Sequence, residues 1–152
     1  MFRFLPLALL LPVAALAQSQ GLDVRSQAER ITGDDLLDSF MGKTMDGAYN
    51  FNEFGVPRDR FSEAHNSDST TDYVEGDVEA RGVWTVSSDD TLCYAYPNTA
   101  LNGGCFRVWK LGTCYYFYSD GFPEVPYEYT ESYWVARTVE RGRDATCEEL
   151  LS

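Results

Sequence analysis

Basic residues are scarce in this sequence: 12 lysines and arginines stand against 24 aspartates and glutamates, a formal net charge of −12. Such a chain repels phosphate backbones and anionic lipid, which argues against nucleic-acid binding and electrostatic docking on membranes. Histidine is scarcer still, with His65 the single one. It lies in a polar stretch, Ser62 to Asp72, rich in serine, threonine, aspartate and asparagine, and reads as a solvated loop residue. No Gly-x-Ser-x-Gly elbow, His-Glu-x-x-His pair or phosphate-cradling glycine loop occurs. No catalytic residue, metal ligand or cofactor site is therefore expected. The acidic run from Asp68 to Glu79 lacks the order of a calcium loop.

Long apolar runs are also absent, except at the start. Arg3 precedes an apolar segment from Phe4 to Leu16, and Ala15-Leu16-Ala17 has the small-x-small form of a cleavage site. The run is too short to span ~30 Å of hydrocarbon, and Pro6 and Pro12 interrupt it. Residues 1–17 read as a signal peptide, with Gln18 as the new N-terminus. Residues 18–30 read as a flexible arm and 31–152 as one β-rich domain. The expected location is periplasmic or secreted, with no membrane insertion after cleavage.

Four cysteines are present, Cys93, Cys105, Cys114 and Cys147, and none forms the close C-x-x-C pairs of a zinc site. An even count in an exported chain reads as two disulfides. If Leu111-Gly112 is a two-residue hairpin turn, Lys110 faces Thr113 and Trp109 faces Cys114. Cys105 then lies near Tyr118, ~13 Å along the strand from Cys114, beyond the ~7 Å a disulfide tolerates. Cys93 and Cys105 flank one loop on consecutive strands and pair; Cys114 is left with Cys147.

Aromatics are plentiful: ten tyrosines, nine phenylalanines and three tryptophans. Leu36, Leu37, Phe40 and Met41 fall on one face of a short helix, with Thr32 as N-cap and Gly42 as the stop. Short aromatic and β-branched runs follow at 48–54, 73–78, 81–86, 92–96, 105–110, 114–118 and 133–139, separated by turn residues. The expected fold is mainly β: a small antiparallel meander sheet or partial barrel of five to seven strands with a short N-terminal helix. Gly82 and Trp84 read as structural, a buried indole in the first strong strand beside a glycine that lets a neighbour approach.

Gly82-Val83-Trp84 is similar to the Gly-x-Trp signature of lipocalin-like barrels, where the Trp begins a strand and plugs one barrel end. There eight strands follow the motif, whereas only about 70 residues follow it here. Over residues 31–118, the helix ending in Gly42-Lys43-Thr44, the Gly-x-Trp strand, the Leu92-Cys93 strand and the Cys105 strand together resemble a group of small exported β-rich proteins of Gram-negative bacteria. That group carries no assigned biochemical activity.

Two functional classes remain. One is an exported, non-catalytic module that binds an unknown protein or small ligand through its aromatic sheet. The other is a small hydrolase acting on envelope carbohydrate through a carboxylate pair. Glu124, Glu128 and Glu131 lie among Tyr127, Tyr129, Tyr133 and Trp134, a mixture that carbohydrate sites use. Burial of the rings with the acids facing water accounts for the same pattern. The expectation is the binding module.

Overall fold

The computed structural model describes residues 24–50, 60–97, 101, 103–120 and 134–146. The signal-peptide region, the Glu124–Glu131 cluster and Cys147 lie outside them. A strand β1 (Glu29–Arg30) precedes a helix α1 (Gly33–Phe40). Eight strands follow: β2 (Thr44–Tyr49), β3 (Arg60–His65), β4 (Thr70–Glu75), β5 (Val78–Val86), β6 (Leu92–Ala95), β7 (Gly104–Leu111), β8 (Cys114–Ser119) and β9 (Ala136–Glu140).

Strands β2 to β9 pair antiparallel in sequence order. The sheet closes because β9 pairs both with β8, Tyr116 opposite Arg137, and with β2, Thr138 opposite Gly47. The result is an up-and-down barrel of eight strands without a free edge. Strand β1 adds to β7 beyond the stretch that β6 occupies, with Arg30 opposite Trp109. The expected five to seven strands are therefore too few. The shortfall arises at β1 and at β3, which with β4 forms a hairpin where a polar loop is expected from Ser62 to Asp72. Phe61, Glu63 and His65 face inward from β3, and Thr71 and Tyr73 from β4. The alternation is that of a strand, but its inward positions carry polar side chains.

Two further expectations are corrected. Residues 24–30, expected in a flexible arm, form a 3-10 turn at Val24–Ser26 and then β1. Val24 is buried with Cys114, Tyr116, Tyr118 and Trp134 on the outside of the barrel, so β8 is covered on both faces. The β7–β8 turn is Gly112-Thr113, one residue on from the expected turn, with Leu111 opposite Cys114 and Trp109 opposite Tyr116 rather than Cys114, a register shift of two residues. Gly112 adopts φ 60°, the left-handed conformation that this turn requires.

Helix α1 closes one end of the barrel. Leu36 and Phe40 are fully buried, and the Phe40 ring lies 5.1 Å from His65 and 5.2 Å from Tyr115. The chain leaves the helix through Gly42 (φ 73°), whose N–H donates to the His65 carbonyl at 2.7 Å. Thr32 occupies the N-cap position in extended conformation, but its hydroxyl makes no capping bond. Asp90, from the β5–β6 turn, accepts the Gly33 N–H instead at 2.8 Å. The connections β2–β3, β4–β5, β6–β7 and β8–β9 leave from the opposite end.

Candidate functional site

An eight-stranded barrel has room inside for packed side chains or for one small ligand. Near α1 it is filled, by Phe40, Leu92, Val108, Trp84 and Tyr115. Trp84 on β5 is buried edge-on to His65 at 5.3 Å, and its indole N–H donates to the Asn66 carbonyl at 3.0 Å. Towards the other end the filling stops. A cavity of about 70 Å³ remains, lined by Tyr49, Phe61, Tyr94, Tyr96, Phe106 and Phe117, with Glu63, His65 and Thr138 among them. At roughly 10–15 Å³ for one water-sized group, this admits about five such groups.

Glycines shape the walls. Gly47 faces inward from β2, and a Cβ there would lie 2.6 Å from Phe61 Cζ and 2.7 Å from Thr138 Cγ2. Its bare face lets these two side chains meet over it. Gly82 does the same for the ring of Tyr96: a Cβ would lie 2.6 Å from Tyr96 Cδ1 and collide with the Ala95 carbonyl.

The polar groups are unequally satisfied. Glu63 Oε1 accepts from the Tyr96 hydroxyl and, at 2.9 Å, from the Thr71 hydroxyl. Glu63 Oε2 accepts no hydrogen bond, and no cation pairs with this carboxyl, among the described residues. Burial pushes the Glu63 carboxyl up to about 7, although the two hydroxyls favour its charged form. Burial also raises the Tyr96 hydroxyl far above its ordinary value, so it acts as the donor. His65 Nε2 shares a 2.7 Å hydrogen bond with the Tyr94 hydroxyl. Its Nδ1 is buried without a hydrogen-bond partner among the described residues, as is the Thr138 hydroxyl. Burial lowers His65 to about 4, with the Lys43 and Glu63 backbones opposing in part, so the ring is neutral near pH 7.

His65, expected in a solvated loop, is thus 1% exposed inside the barrel. Asp68, in the turn after β3, accepts from the Thr70 hydroxyl and N–H. No cluster of metal-ligating side chains is present among the described residues. Cys93 and Cys105 stand opposite one another on β6 and β7, joined by a disulfide with Cα atoms 4.0 Å apart. Cys114 is fully buried and no described cysteine is free; the expected Cys114–Cys147 pair falls outside the described residues. Among the described residues lining the cavity, Glu63 is the single carboxylate. Glu63, Tyr94, Tyr96 and Thr138 escape sequence reasoning as a site, although the alternation Phe61-x-Glu63-x-His65 carries the signal.

The disulfide is compatible with a secreted or periplasmic protein. No described helix is long and apolar enough to cross a membrane. No protein-family model, curated protein or solved structure matches the chain.

Proposed function

We propose that the chain is an exported, non-catalytic binding module, acting in the periplasm or outside the cell, that encloses a small ligand in its barrel. The observation that carries this reading is the cavity opposite α1, where the buried Glu63 carboxyl keeps its Oε2 unused, among the described residues, inside an aromatic wall. Buried polar groups ordinarily find partners, and groups left open in a cavity mark where a partner binds. Glycoside hydrolysis uses a pair of carboxyls about 5–10 Å apart, and among the described residues lining the cavity Glu63 has no second carboxylate beside it. The resemblance of residues 31–118 to small exported β-rich proteins of Gram-negative bacteria bears on export alone, since that group carries no assigned activity.

Protein-observed NMR with small organic molecules of about five heavy atoms tests the reading. Shift changes are expected at Glu63, Tyr96, Phe117 and Thr138, and their loss in Ala136→Phe, which fills the cavity. Changes confined to the outer surface count against it. So does hydrolysis of envelope glycan that Glu63→Gln abolishes. Export is tested by mass spectrometry of the processed protein, with Gln18 as the expected N-terminus.

A further inference from the structure

We propose that the ligand of this cavity is a small organic ammonium ion, its charged nitrogen against Glu63 Oε2 and its carbon part among the aromatic rings. The inference rests on the cavity reading above and names the ligand class.

Three observations lead to it. The first is the state of Glu63. Its side chain is buried and, among the described residues, its Oε2 is unpaired and no lysine or arginine lines the cavity. A buried carboxyl without a counter-ion is costly, and here the cost shows as the rise to about 7. A glutamine would accept the same two hydroxyl bonds through its carbonyl oxygen without that cost. A neutral ligand leaves the cost in place, whereas a cation offsets it.

The second is the wall. Tyr49, Phe61, Tyr94, Tyr96, Phe106 and Phe117 surround the space. Aromatic faces carry partial negative charge and attract cations, more strongly where water is excluded. The rings sit close together, Tyr49 to Phe61 at 4.7 Å and Phe106 to Phe117 at 5.9 Å, so they form a continuous lining.

The third is long-range. A formal net charge of −12 draws cations towards the protein and repels anions. Anionic ligands meet both that field and Glu63. The size of the space limits the ligand to roughly five non-hydrogen atoms.

Butylammonium and 1-butanol, equal in heavy atoms and different in charge, serve as probes in NMR titrations of the full processed chain. Butylammonium is expected to bind about tenfold tighter or more, as a charge-assisted contact in a buried site requires. Glu63→Gln is expected to bring it down to the level of the alcohol. A second readout avoids the variant. At a pH just below 7, the Glu63 side-chain carbon signal should move to the carboxylate position on adding butylammonium and stay in place with butanol. Equal binding of the two probes inside the barrel, or undiminished amine binding by Glu63→Gln, overturns the ammonium assignment and leaves the cavity reading standing. Shifts from both probes only on the outer surface, or binding of neither, overturn both.

Discussion

The Tyr96 hydroxyl donates to Glu63 Oε1 across the bare inward face of Gly82. Tyr96 follows β6 and Glu63 lies on β3, so the bond bridges two intervening strands. On one of them, β4, Thr71 donates to the same oxygen. A side chain at position 82 would block the path. Gly82→Ala places a Cβ 2.6 Å from the Tyr96 ring and against the Ala95 carbonyl. It is expected to destabilise the protein by about 1–3 kcal/mol, measured by urea unfolding. Tyr96→Phe removes a bond that favours the carboxylate, so it should raise Glu63 further above about 7, read by NMR titration.

Trp84 is 2% exposed, and its ring contact with His65 joins β5 to β3 inside the barrel. Its N–H also caps the β3–β4 turn at Asn66. Trp84→Ala leaves a large void and removes one of the two hydrogen bonds to the Asn66 carbonyl, and is expected to cost about 3–5 kcal/mol. A calorimetric melting curve checks this; an unchanged melting temperature would place Trp84 outside the core.

The elements easiest to read in the sequence are those whose inward faces are apolar. Strands β5 to β8 carry valine, tryptophan, tyrosine and phenylalanine in short runs between turn residues, and their positions follow from composition and punctuation. The helix follows from Leu36 and Phe40 at one-turn spacing. Strand β3 is hidden because Glu63 and His65 take places that ordinarily hold apolar side chains. A rule that equates polar with exposed sends the Arg60–His65 segment to a loop, and the site is lost with it. Barrel closure is equally hidden, since it depends on β9 meeting β2 across more than eighty residues of sequence, and no local pattern encodes that pairing. The interior polar cluster was thus legible only as an alternation, Phe61-x-Glu63-x-His65 against Thr71-x-Tyr73.

The Cys93–Cys105 disulfide spans twelve residues of sequence across the β6–β7 connection. Closing a loop of this length contributes roughly 3 kcal/mol in the chain-entropy model. The double variant Cys93→Ala/Cys105→Ala should lower the unfolding free energy by about that amount. Non-reducing peptide mapping should recover the two cysteines in one cross-linked fragment. Recovery of Cys93 joined to Cys114 would contradict the β6–β7 register.

The two buried titratable residues of β3 make opposite contributions to the pH dependence of stability. Glu63 has a folded value of about 7 against an ordinary 4.5. Between these, the folded state holds a proton that the unfolded state has lost, so stability falls as pH rises. His65 has a folded value of about 4 against an ordinary 6.5. Between these, the unfolded state holds the extra proton, so stability falls as pH drops. Each slope is at most about 1.4 kcal/mol per pH unit. Over their shared window, from about 4.5 to about 6.5, the slopes cancel. Asp46, held below its ordinary 3.8 by its bonds to Arg141, loses its stabilising contribution only at lower pH and leaves this window undisturbed. Wild-type stability, measured by urea unfolding at a series of pH values, should therefore be nearly flat there. Glu63→Gln should leave the histidine slope alone, with stability lost on acidification below about 6.5. His65→Gln should lower stability overall, since it removes the Tyr94 bond, and leave the glutamate slope alone, with stability gained on acidification from about 7 to about 4.5. Opposite slopes in the two variants, with a flat wild type between them, are the expected result; parallel profiles in all three would show that neither group titrates from inside the barrel.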